Sequence, residues 1–127
     1  MQAPEALLTF ICIKVGFLRP DVQPGKEALL NFTVNDRQSK NPISNLEIVH
    51  DRIMHVVLVR NDLKHFDHIH PQALGSGVFA VPYKFSSSET YRIWVDFTIS
   101  GIQHIVDFDI NVPDNVEIKE NYNLDGI

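Results

Sequence analysis

The sequence predicts an all-β protein, an antiparallel β-sandwich of about seven strands. Three observations carry this. Val and Ile together number 26 of the 127 residues, against 15 for Ala and Leu, a β-branched bias that disfavours a helical bundle. Several segments alternate apolar and polar residues with a period of two, the signature of half-buried strands. Turn residues separate those segments at short intervals.

In chain order, Leu7–Phe17 reads as the first strand, apolar on both faces. Arg19-Pro20-Asp21 and Pro24-Gly25 supply turn chemistry, with proline presetting φ and glycine allowing it to be positive. Lys26–Asn35 alternates cleanly, placing Ala28, Leu30, Phe32 and Val34 on one face. Asp36–Asn45 is a polar connection and Leu46–Val49 a short edge strand. Ile53–Arg60 is apolar on both faces, which suits a central strand. Asn61–Pro71 reads as a loop with Phe66 as its anchor. Gly77–Phe85 is a strand broken by Pro82, which points to an edge or a bulge. Tyr91–Ile99, the turn Ser100-Gly101 and Gln103–Val112 form a final hairpin. These strands make one domain over residues 1–113, and Asp114–Ile127 is a polar, acidic tail expected to be loosely held. Tyr91, entering its strand after Ser86-Ser87-Ser88, sits as the tyrosine corner of immunoglobulin-like sandwiches does, with its hydroxyl capping nearby backbone.

Composition excludes several functions. The net charge is −5, so no basic surface for nucleic acid is expected. The single cysteine, Cys12, rules out an internal disulfide framework and a cysteine-rich zinc site. Leu7–Val15 is too short to span a bilayer, and with Glu5 before it and no basic stretch it is a poor signal peptide. The chain by itself does not give a compartment. No Gly-x-Ser-x-Gly, phosphate-cradling glycine loop or His-Glu-x-x-His occurs, so the reading is of a non-enzyme. A three-histidine metal site with an open position remains the one catalytic alternative.

The histidines carry the chemistry. Of six, five lie between His50 and His70. His68 and His70, two apart, point the same way from extended backbone. His55 interrupts an apolar strand, where an imidazole needs partners for its ring nitrogens. Together with Met54 they offer three nitrogens and a soft sulfur, a set that leans to copper before zinc. Regular strand geometry puts Met54 on the face opposite His55, which argues for Met54 in the core. Asp62, Asp67 and Asp96 are candidates to hold the outer nitrogens of the ligands. His65 and His104 are expected to be packing or surface residues. Trp94, the only tryptophan, can be assigned neither to the core nor to an exposed interaction site.

The stretch His50–Pro71, with its Met54-His55, hydrophobic strand, Asp62-Leu63 and Phe66-x-His68-x-His70-Pro71, resembles small immunoglobulin-like domains of bacteria and archaea that often occur beside copper or other heavy-metal handling proteins. Tyr91–Phe97 and Gln103 fit the same pattern, and the resemblance covers roughly residues 25–112. It implies His55, His68 and His70 as metal ligands, with His50 as a weaker candidate. It also implies an extracytoplasmic setting, and a metal-transfer or membrane protein as partner. The function expected is copper storage, delivery or detoxification. The alternative is an immunoglobulin-like interaction module whose histidines are structural or pH-sensitive.

Overall fold

The computed structural model describes residues 13–18 and 21–113. Among these, eight antiparallel strands form two four-stranded sheets, and the class is all-β as expected. The strands are β1 (Ile13–Leu18), β2 (Glu27–Asp36), β3 (His55–Arg60), β4 (Phe66–Ile69), β5 (Gln72–Gly75), β6 (Val78–Lys84), β7 (Thr90–Ile99) and β8 (Ile102–Asn111). One sheet has the order β1-β2-β6-β5 and the other β4-β3-β7-β8. The part of the first strand before Ile13, the Arg19-Pro20 turn and the tail from Asp114 lie outside the described residues.

The core follows the period-two pattern. Leu30, Phe32 and Val34 of β2 and Phe79 of β6 meet Val56 and Leu58 of β3 and Ile93, Val95 and Phe97 of β7, all essentially closed to solvent. Phe17 stacks on Phe32 with ring centroids 5.0 Å apart and meets Phe108 at 5.3 Å, so β1 and β8 close the same end of the sandwich. Tyr91 is fully buried, and its hydroxyl lies 3.3 Å from both the backbone nitrogen and the backbone oxygen of Ser87. The β7–β8 connection is a two-residue turn in which Ser100 and Gly101 both take positive φ (51° and 78°), matching the twist of the flanking strands.

Three local expectations need correction. Leu46–Val49 is not an edge strand. Leu46 is buried, Glu47 N–H bonds to Thr98 O, and Val49 pairs with Arg52 in an isolated bridge. Residues 61–71 are not simply a loop, because β4 forms within them and pairs with β3 from Val59/Phe66 to Val56/Ile69. Phe66 is no anchor, since it is 68% exposed on the outer face. The strand holding Pro82 is interior rather than at an edge, and the bulge-like register shift in its pairing with β5 lies at Ala73/Gly75, opposite Phe79 and Val78 and away from Pro82. Val34 N–H donates to Gly77 O, so by alternation the backbone of Pro82 faces away from β2. That side is β5's, but β5 begins at Gln72 opposite Ala80, so the missing N–H removes no ladder bond.

Candidate metal centre

Register assembles the histidines. Val56 and Leu58 point into the core, so His55 and Val57 point outward from β3. His68 pairs with Val57 and therefore shares that outer face. His70 lies two residues further along, where the chain leaves β4 for β5 in the other sheet, and the buried Pro71 follows it. The three imidazoles meet at one corner of the outer face.

Their candidate ligand nitrogens all lie within 4.8 Å of one another. Ring centroids are 5.4 Å apart for His55/His68, 5.1 Å for His55/His70 and 4.7 Å for His68/His70. Imidazoles on one tetrahedral ion, each bound at about 2.0–2.1 Å, would have centroids roughly 5 Å apart. The group can hold a metal ion.

The tautomer of His55 follows from its neighbours. Its Nε2 is 2.8 Å from Val49 O, a contact in which the nitrogen must donate. Nδ1 is then the free lone pair, and it lies 3.4 Å from His68 Nε2. The carbonyl is aimed by a tight turn. Val49 N–H bonds to Arg52 O at 2.9 Å, Arg52 N–H returns to Val49 O at 3.2 Å, and between them His50 and Asp51 both have positive φ (52° and 69°). Such turns favour Gly, Asn and Asp, and His and Asp are among the non-glycine residues that enter the left-handed region most readily.

Burial, with smaller effects from His68, Arg52 and His55, holds the His70 imidazole below its ordinary pKa. It is therefore neutral at neutral pH with a lone pair to give. Metal affinity is expected to be steady above the imidazole range and to fall as pH drops below about 6.5, because protons compete for the same nitrogens. Calorimetric titrations at a pH well above and a pH well below that range check this, and equal affinity at both would contradict imidazole ligation. The metal-free fold follows the same sign. With a depressed folded pKa, His70 binds fewer protons folded than unfolded just below its ordinary value, so stability is lost as the pH is lowered through that window.

The other candidates fall elsewhere. Met54 is fully closed to solvent in the inter-sheet core, on the face opposite His55, and is not brought to the group. His50 is exposed beside it, its ring 6.3 Å from that of His55, and is not one of the three. His65 lies 3.2 Å from the Tyr83 hydroxyl, and His104 stacks on Phe97 at 5.4 Å. None of the three aspartates hydrogen-bonds to a ligand ring, although Asp96 lies opposite His55 across the β3–β7 pairing and lines a hollow with it. Asp62 accepts from Arg60 and Lys64, Asp67 from Tyr83, and Asp96 from Gln103. The outer partner of His55 is the backbone carbonyl of Val49 instead. No sequence signal marked it, because any residue carries a main-chain carbonyl and only the turn aims this one at His55.

Trp94 also proves to belong here. It pairs with Val57 from the β7 side, while His68 pairs with Val57 from the β4 side. Half-buried, it lines an open hollow of about 770 Å³ whose wall includes His50, His55, His68 and the exposed Ile105.

No curated protein matches the chain. A family model described as a domain of unknown function, DUF8832, matches residues 13–114, and the chain belongs to that family.

Proposed function

We propose that this protein binds one copper ion through His55, His68 and His70, and that it serves copper storage, delivery or detoxification. The observation that carries this is the convergence of three imidazoles within 4.8 Å on one face of a rigid sheet. Copper is favoured over zinc by the general affinity order for nitrogen ligands. The donor set is all imidazole, so it does not by itself fix an oxidation state. Three ligands leave a coordination position open, and a site with His68 exposed and His55 and His70 half-buried suits exchange with a metal-transfer or membrane partner in an extracytoplasmic setting. The exposed Ile105, Ile102 and Phe66 on the same sheet favour the second reading, an interaction module of immunoglobulin-like type. The two readings are compatible if the partner is the one that exchanges metal.

Trp94 reports on the first reading directly, being the only tryptophan and in the same hollow as two of the ligands. Cu(II) is expected to quench its emission with a break at one equivalent, and Zn(II), with a filled d shell, to bind without comparable quenching. Gradual quenching with no break would remove the support for a single site.

A further inference from the structure

We propose that Tyr83 is a positioning residue for the metal centre: through Asp67 it fixes the edge strand that presents His68 and leads into His70. This rests on the metal reading above.

The strand β4 has four residues, lies at the edge of its sheet and pairs only with β3. Short edge strands are where a sheet opens most readily. Two of the three candidate ligands depend on this one. Its alternation sends His68 outward and Asp67, opposite the buried Leu58, toward the facing sheet. The carboxylate is still 46% exposed, so water does not leave it unpaired, and what it gains from the facing sheet is direction. That comes from Tyr83 of β6, in the other sheet, whose hydroxyl donates to Asp67 Oδ2 at 2.6 Å. His65 Nε2 completes the cluster, 3.3 Å from the same oxygen.

Tyr83 cannot follow β4 if the strand moves. It is buried, its ring meets Phe85 edge-on at 4.8 Å, and its backbone pairs with Ala28. Burial, and then the bond to Asp67, raise the hydroxyl pKa, so it remains a protonated donor. The bond therefore ties the two sheets together at the residue next to a ligand. It also sets which face that ligand occupies. A one-residue slip of β4 would turn Asp67 outward and His68 inward, and would break the bond. In the metal-free protein the bond holds His68 ready. Without it, a fraction of molecules would have β4 misplaced, and apparent affinity would fall by that fraction.

The test uses the full chain and copper alone. Tyr83→Phe removes one oxygen and keeps the ring. Copper affinity from chelator competition should drop about 5- to 10-fold, the population shift expected from losing one hydrogen bond between the sheets. Amide exchange at residues 66–69 of the metal-free variant should quicken relative to β7. Asp67→Asn keeps an acceptor oxygen for the hydroxyl and should remain within about threefold of wild type. Met54→Ala loosens the core without touching this bond, so it separates positioning from a general loss of stability; its copper affinity should be unchanged. Equal affinity in wild type and Tyr83→Phe would overturn the proposal, as would an equal loss in Met54→Ala. If the wild-type chain takes up no copper, the metal reading itself fails and this proposal fails with it. If wild type binds and Tyr83→Phe binds as tightly, only the positioning role fails.

Discussion

Replacing His68 by alanine is expected to weaken copper binding by roughly 100-fold or more, since even residues that merely orient a ligand are worth 10–100-fold. His68 sits on the outer face, exposed, with its ring 4.7 Å from that of His70 and 5.4 Å from that of His55. Removing it leaves two imidazoles at one side of the ion. Because the side chain packs against no core residue, stability should change by no more than about 0.5 kcal/mol. The same substitution at His50, whose ring is 6.3 Å from that of His55, should cost far less affinity. Competition with a chelator of known affinity measures both. Similar losses for the two variants would mean that the ligand set is drawn wrongly.

Met54→Ala is expected to have the opposite profile. The side chain is closed to solvent in a core shared with Val56, Leu58 and Ile93. Its truncation removes buried methylenes and the thioether and leaves a cavity, at a cost of about 2–5 kcal/mol. Chemical denaturation would show this as a lower midpoint with little change in slope. Copper affinity should stay at the wild-type value, measured where the variant is fully folded. A stable variant with weakened copper binding would make the sulfur a ligand after all.

The contrast between those two residues shows what was legible in the sequence. Period two alone separates Met54 from His55, because neighbours on a strand face opposite ways. The same rule places His68 and His70 together, and it identifies the buried rows of β2 and β7. What it cannot supply is register between strands. The pairing of Val57 with both His68 and Trp94 brings the tryptophan to the site, and nothing local to Trp94 announces it. The strand β4 was hidden for a related reason. Asn61–Pro71 is polar and rich in turn formers, and Phe66–Ile69 becomes a strand only because β3 offers it an edge. Carboxylates are common partners of ligand histidines, but here Asp62, Asp67 and Asp96 bond to Arg60, Tyr83 and Gln103, and a main-chain oxygen holds the outer nitrogen of His55.

The most direct measurement is native mass spectrometry of the metal-free chain after addition of copper, run beside a variant with His55, His68 and His70 all changed to alanine. Circular dichroism on both samples confirms that the strands are retained. The expected result is one copper ion per wild-type chain, held against a weak competing chelator, and none on the folded variant. Equal loading of wild type and variant, or no stoichiometric loading of the wild type, would contradict it.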